Sequence, residues 1–227
     1  RGVVYAPTST NGTPRIGGTG VTNVTGAAAT GTFTLSASGL TPGTGYSYAA
    51  YATNSAGTTY STTGTFAASA SAPTVTSPTV DFTAGTLGGN VTADGGATIT
   101  ARGVVYAITS ANSNPQIGGA GVIQKAGTGT TGVFTVSPTG LAAGTAYSFA
   151  AYATNSVGTT YATGTFTTLG VPTVSTATSA SITNTTATLG GAVTADGGAT
   201  ITARGIVYAP TALNASPRIG GTSVNNV

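Results

Sequence analysis

The sequence predicts an all-β fold made of tandem antiparallel β-sandwiches, and three observations support this prediction. Apolar residues alternate with polar ones between turns rich in Gly, Asn and Asp, as in half-buried strands. The phrase TADGGATITARGVVYA at residues 92–107 returns at 194–209 with Val104 replaced by Ile206. The repeat period is 101 to 102 residues, as Arg1, Arg102 and Arg204 show. A period of this length is one whole domain, and no 3.6-residue helical periodicity accompanies it.

The repeat divides the chain into three predicted regions. We expect a complete sandwich over residues 73–170, a sandwich without its first two strands over 1–72, and a sandwich without its last strands over 171–227. Two arrangements explain such ends: a stretch of a longer tandem array, or completion of the ends between copies by strand donation. Donation would leave residues 204–227 as a duplicate of 1–24, which favours the longer array.

The first half of the complete repeat predicts two strands and a hairpin turn. A strand over 73–82 contains Pro78, and a strand that accepts proline is expected at a sheet edge. A second strand follows over 85–93. Its inward positions are Leu87, Gly89 and Val91. The Asp-Gly-Gly sequence at 94–96 predicts a hairpin turn into the strand that follows, because glycine accepts positive φ and aspartate bonds its own downstream backbone.

The second half of the repeat predicts four strands and one long loop. Phe134 and Val136 lie on one face of their strand, as alternation requires. About seven short strands in some 100 residues are typical of an antiparallel sandwich. The predicted elements are a strand over 98–107, a polar loop through 112–131, a strand over 132–137, a strand within 141–161 and a last strand over 161–168.

The longest of these segments resembles a known family. LAAGTAYSFAAYATNSVGTTY at 141–161, answered by LTPGTGYSYAAYATNSAGTTY at 40–60, is similar to the tyrosine-corner strand of fibronectin type III domains, specifically the tandem versions of bacterial surface proteins. Together with GGxVTADGG and TARGVVYA, the resemblance spans the whole repeat. It implies structural corner tyrosines at Tyr46 and Tyr147. Such a tyrosine buries its ring while its hydroxyl bonds the preceding turn.

Strand alternation places a second pair of tyrosines on the opposite face. Tyr51 and Tyr152 are expected to point outward, away from the core, and to show an aromatic face. Two interpretations remain for them: packing on neighbouring strand residues, or an intermolecular contact. The sequence also departs from the family, because it has no Trp for the usual buried position on the second strand. Ala49 and Ala150 stand where such repeats often carry Arg.

Charge is nearly absent from the chain. Charged residues make up 4% of the sequence, against about 25% in a typical soluble domain. The six basic residues are scattered singly, so we predict no nucleic-acid interface. Cysteine is absent, which excludes disulfides and thiolate metal sites. No apolar run reaches the length of a membrane span.

No catalytic residue, cofactor or metal site is predicted, and the chain is not expected to be an enzyme. His and Glu are absent, and the aspartates do not pair within a repeat. Asp94 and Asp196 occupy the same hairpin turn, where a calcium site would need more oxygen ligands. A Ser-Lys dyad could use only Lys125, whose counterpart in the first copy is Val24.

Sparse charge leaves sheet edges without their usual protection. We therefore expect lateral surfaces to be covered by neighbouring copies or by glycans on hydroxyls. The predicted function is a structural module of a secreted bacterial surface protein, extracellular or at the cell surface. In this hypothesis tandem sandwiches form a filament, sheath or adhesin stalk with copies of the chain as partners, head to tail and laterally. Glycan sequons occur at Asn11, Asn23, Asn90, Asn184 and Asn214.

Two alternatives stay open. The first is a carbohydrate-binding or adhesive accessory domain of a secreted multidomain protein. Sugar platforms need exposed aromatic rings, which only Tyr5, Tyr51, Tyr60 and their repeat counterparts could supply. The second is an ice-binding surface, which the twist of a sandwich disfavours because it offers no flat lattice.

Overall fold

A computed structural model describes residues 1–82 and 85–227, and strands are the only regular secondary structure in these ranges. Every strand pair is antiparallel, which confirms the predicted fold class. The N-terminal region (residues 1–72) forms one five-stranded sheet, in which β3 pairs with β1, β4 and β5. Its strands are β1 (Gly2–Pro7), β2 (Thr22–Thr25), β3 (Gly45–Asn54), β4 (Gly57–Tyr60) and β5 (Gly64–Ala67).

The central region (residues 73–170) forms two sheets that face each other as an Ig-like sandwich. The first sheet has the strand order β10-β7-β6, and the second has the order β12-β11-β8-β9. The first contains β6 (Thr74–Asp81), β7 (Thr86–Ala93) and β10 (Gly132–Val136). The second contains β8 (Ala101–Ile108), β9 (Ile123–Ala126), β11 (Ala146–Thr154) and β12 (Thr159–Thr167).

The core of the central region lies between these two sheets. Tyr147 stacks on Phe166, with ring centroids 5.3 Å apart. The sheets approach closely at Gly89, because a Cβ atom there would overlap the Cβ of Ala151. A side chain larger than that of glycine would therefore not fit at position 89. The core residues include Val75, Leu87, Val91, Val104, Tyr106, Phe134 and Phe149.

The first two predicted strands are confirmed, but the predicted hairpin turn is wrong. The Asp-Gly-Gly turn leads from β7 in one sheet to β8 in the other, because β8 pairs with β11 and β9 instead of with β7. Strand β6 lies at a sheet edge, and its pairing with β7 shifts register between Thr76 and Thr79, on either side of Pro78. In the turn that follows β7, the Asp94 carboxylate accepts a hydrogen bond from Gly96 N at 2.8 Å.

One predicted loop is partly wrong. Residues 123–126, within the predicted loop 112–131, form β9, and Lys125 pairs in register with Val104 of β8. The sequence IQKA gave no alternating signal, since a four-residue edge strand buries almost nothing on either side. The neighbouring strand β8 also begins at Ala101 rather than at residue 98.

The C-terminal region (residues 171–227) forms three two-stranded sheets with mostly exposed residues. Leu189 is 39% exposed, whereas its repeat counterpart Leu87 is 2% exposed in the central core. The strands are β13 (Thr173–Val174) with β16 (Val193–Ala195), β14 (Thr178–Ala180) with β15 (Thr188–Gly190), and β17 (Val207–Tyr208) with β18 (Asn225–Asn226).

Candidate assembly surfaces

The two predicted corner tyrosines have the same surroundings in their two regions. Tyr147 is 3% exposed, and its hydroxyl accepts a hydrogen bond from Ala142 N at 2.9 Å. Tyr46 is 4% exposed and accepts one from Thr41 N at 2.9 Å. Each bond joins a long strand to the turn five residues earlier. A stabilising role for these bonds stays a prediction, and a substitution that tests it is given below.

Tyr51 and Tyr152 differ from expectation. Alternation places both rings on the face away from the core, yet Tyr152 is only 1% exposed and Tyr51 only 7%. Neither ring presents the aromatic face that the sequence led us to expect. Each ring lies over a glycine of the adjacent strand, where a Cβ atom would come within 3.0 Å of the tyrosine hydroxyl. The glycines are Gly2, opposite Tyr51, and Gly103, opposite Tyr152.

A loop covers each of these rings, and we call it the covering loop: residues 8–21 in the N-terminal region and 109–122 in the central region. Pro14 and Pro115 are fully buried within the two loops. Ile117 N donates a hydrogen bond to the Tyr161 hydroxyl at 3.3 Å, and Ile16 N donates to the Tyr60 hydroxyl at 3.1 Å.

Short polar bonds fasten the same loops to the sheets. In the central region the hydroxyls of Thr109, in the loop, and Ser148 of β11 lie 3.0 Å apart. Within the sheet, Gln124 of β9 donates to the Tyr152 hydroxyl at 2.7 Å. The sequence carried one signal for this cover, namely the proline and paired glycines that recur in each copy. The outer sheet face is therefore a second packed layer rather than a free surface.

The inner face of the N-terminal sheet is open, and we call it the open face: the side of the sheet that carries Val3, Tyr5, Tyr48, Ala50 and Phe66. A groove of about 600 Å³ runs along it. Tyr48 is 40% exposed there, whereas its counterpart Phe149 in the central core is 1% exposed. In the central region β6 and β7 cover the equivalent face, and no strand among the described residues covers the open face.

In the central region a buried arginine, which we call the arginine clamp, donates hydrogen bonds to the backbone of residues 128–132. The sequence did not predict this role. Arg102 is 7% exposed, and its guanidinium lies 4.8 Å from the centroid of the Phe134 ring. Burial lowers the pKa of Arg102 from its usual value. The accepting carbonyls belong to Thr128, Thr130, Thr131 and Gly132. Arg1 makes the equivalent bonds to residues 29–31 and lies 4.8 Å from the Phe33 ring centroid.

The described residues bring no reactive groups together. No cluster of three His, Cys, Asp or Glu residues occurs within 1–82 and 85–227. The carboxylate of Asp94 accepts a hydrogen bond from Gly96 N in its own turn, and the carboxylate of Asp196 accepts one from Gly198 N at 2.8 Å in the same way. Lys125 is half-buried in β9. In the part of the chain that the structure describes, no helix has the length and apolar character to cross a membrane.

Three of the five sequon asparagines already hold local structure. Asn11 donates to Thr19 O at 3.3 Å, and Asn214 donates to Thr222 O at 3.1 Å, each closing its loop. Asn23 accepts a hydrogen bond from the Tyr51 hydroxyl at 2.8 Å. A glycan attached at Nδ2 would replace one of the two amide hydrogens at Asn11 and Asn214, whereas at Asn23 the accepting Oδ1 would stay available.

Comparison with known proteins adds little to this description. No protein-family model matches the chain, and no curated protein matches it. Among solved structures, the crystal structure of the chicken CNTN1 FN1-FN3 domains is similar at 15% identity, with a TM-score of 0.33. The match covers 83% of this chain and 63% of that one, which is less than two thirds of its length. The fold of this chain is defined by its own strand order and core.

Proposed function

We propose that the chain is a structural module of a secreted bacterial surface protein, built from sandwich units with boundaries near residues 72 and 170. In this proposal the units form an extracellular filament, sheath or adhesin stalk. Sparse charge supports it, because nearly neutral surfaces do not repel neighbouring copies. The observation that carries the proposal is the open face: an apolar sheet face that keeps the residue pattern of a sandwich core.

We propose that residues 173–195 of the C-terminal region of a neighbouring copy, the repeat counterparts of β6 and β7, cover the open face. The pattern of residues 173–195 supports this choice, because Leu189 and Val193 stand at the repeat positions of the core residues Leu87 and Val91. Their side chains are 39% and 37% exposed in the chain. Gly191, the counterpart of Gly89, would allow the same close approach between sheets.

The gain on covering this face comes from apolar burial. Burial of a large apolar side chain from full exposure contributes about 1.5 to 3 kcal/mol, and a side chain that is 37% to 40% exposed gains the corresponding part of this. Tyr48 and the two apolar residues of the donated strand would then be buried as their counterparts are in the central core. Strand addition also satisfies backbone groups of the segment at 32–37 that face the groove.

Sedimentation velocity over a range of concentrations, with electron microscopy of the concentrated sample, tests the proposal. We expect concentration-dependent assembly into elongated particles. Leu189→Asp should abolish it, because a carboxylate would enter the covered face. Leu213→Asp is the matched control, since Leu213 is 68% exposed and lies outside the donated strands. A chain that stays monomeric at every concentration, or equal behaviour of the two variants, contradicts the proposal.

The carbohydrate-binding alternative is not favoured by these positions. Two of the tyrosines that it requires, Tyr5 and Tyr51, are 4% and 7% exposed. Tyr60 is half-buried beneath the covering loop, where its hydroxyl accepts a hydrogen bond from Ile16 N.

A further inference from the structure

The Asp-Gly-Gly turn at residues 94–96, which leads from β7 to β8, contacts the region that precedes it. Gly95 O accepts a hydrogen bond from Ser71 N at 2.8 Å, in the segment that joins the N-terminal and central regions. Gly96 lies against the turn at 42–43 of the N-terminal sheet, where a Cβ atom on Gly96 would be 2.6 Å from the Cα of Gly43. The backbones of the N-terminal and central regions therefore touch directly at this turn.

Asn155 fastens the joining segment from the other side. It is 4% exposed, and its side-chain amide donates to Ser71 O at 2.7 Å and to Asp94 O at 2.7 Å. Its side-chain oxygen accepts from Val157 N at 2.9 Å within its own turn. The buried side chain of Asn155 thus bonds three elements: the joining segment, the Asp-Gly-Gly turn, and the turn between β11 and β12.

The contact with the joining segment recurs between the central and C-terminal regions. Gly197 O accepts a hydrogen bond from Gly170 N at 2.8 Å, as Gly95 O does from Ser71 N. A Cβ atom on Gly197 would overlap the carbonyl oxygen of Gly170. On its other side Gly170 packs on Gly144, the repeat counterpart of Gly43: a Cβ atom on Gly170 would lie 3.1 Å from the Gly144 Cα.

We propose that the Asp-Gly-Gly turn is a joint that docks each region on the segment joining it to the region before it, and at the first joint also on the glycine turn at 42–43. The joint holds consecutive regions at a fixed angle, whereas relative motion is the default for regions joined by a short segment. This inference deepens the proposed structural function, and it rests on that function only for its biological purpose. The Asp-Gly-Gly turn contacts backbone atoms of the preceding region and of the joining segment.

A spin-label distance measurement tests the joint in the full chain. The sequence has no cysteine, so Thr59→Cys and Thr163→Cys, both at exposed positions, give one label in each region. Samples diluted with unlabelled chain report distances within a single molecule. We expect a narrow distribution in the parent and a distribution about twofold broader in Gly96→Ala.

Two matched controls separate joint loss from backbone strain. Gly118→Ala carries the same strain, because Gly96 and Gly118 both have φ of +76°. A Cβ atom on Gly118 would meet nothing within 4 Å, so this variant should keep the narrow distribution. Asn155→Ala should broaden the distribution, whereas Asn54→Ala, at the exposed counterpart, should not.

Gly96→Ala and Asn155→Ala distributions as narrow as those of their controls would overturn the joint. A broad distribution in the parent would overturn it as well. The outcome is independent of the proposed function, because the labels read one molecule in dilute solution and assembly is read by sedimentation. A parent chain that shows a narrow distance distribution but does not assemble would support the joint and refute the proposed assembly.

Discussion

The N-terminal and central regions share a sheet but not its cover, and this difference shows what stabilises the sandwich. Residues 133–136 of the central region lie in β10, which pairs with β7. The equivalent residues 32–35 of the N-terminal region form no strand. The same apolar pattern becomes a strand only where a partner supplies its hydrogen bonds. Burial also depends on the cover: Tyr48 on the open face is 40% exposed, whereas its counterpart Phe149 beneath β6 and β7 is 1% exposed.

The outer faces of the two regions do not differ in this way. In both, a covering loop with a buried proline closes over a tyrosine that lies on a glycine. We therefore expect equivalent substitutions to have similar effects on the outer face and different effects on the inner face.

The largest expected effect is on the outer face. Tyr152→Ala should lower the free energy of unfolding of the central region by about 3 to 5 kcal/mol, because it empties a fully buried site. Tyr51→Ala should destabilise the N-terminal region similarly. Urea unfolding followed by hydrogen exchange measures each region separately. A negligible effect of both variants would show that the covering loops do not stabilise the sheets.

Substitutions on the inner face should change the stability of the two regions by different amounts. Ala151→Leu should cost about 3 kcal/mol in the central region, because the added atoms must enter the space where Gly89 approaches. Ala50→Leu, at the counterpart on the open face, should change stability by less than about 0.5 kcal/mol in the monomer. The same measurement applies, and equal costs would contradict the open face.

The arginine clamp should matter next. Arg102→Ala should cost about 2 kcal/mol, because it leaves several carbonyls of residues 128–132 without their donor. Arg102→Lys should recover only part of this loss, since a single ammonium does not reproduce the planar fork of donors. Arg204→Ala is the control, because Arg204 is the exposed repeat counterpart of Arg102. Thermal unfolding measures all three, and a stability of Arg102→Ala equal to that of the control would refute the clamp.

The smallest expected effect concerns the corner tyrosines. Tyr147→Phe keeps the ring but removes the acceptor of Ala142 N, so it should cost about 1 kcal/mol. Tyr46→Phe should have a similar effect in its own region, since the bond to Thr41 N has the same length. Unfolding midpoints in urea give both values. A change within experimental error would show that the hydroxyls do not stabilise the corners.

Much of this fold could be predicted from the sequence, because alternation and turn chemistry are local. Pro78 predicted an edge strand, and the Asp-Gly-Gly sequence predicted a turn. The sequence could not show that this turn crosses between sheets, because a turn into a paired strand has the same residues. Alternation also gave the correct face for Tyr152. It could not give the burial of that ring, because a loop far along the chain supplies the cover. The contact between Gly96 and Gly43 was equally invisible, since glycine in a turn reads the same whether or not another backbone lies against it.

Hydrogen exchange of β3 and β11 in the dilute chain tests most directly whether the cover decides stability. These strands are nearly identical in sequence, and they differ chiefly in whether β6 and β7 face them. We predict that amides of β11 exchange at least about 100-fold more slowly than those of β3. We also predict that β3 becomes protected when copies assemble. Equal protection of the two strands in the monomer would contradict the account.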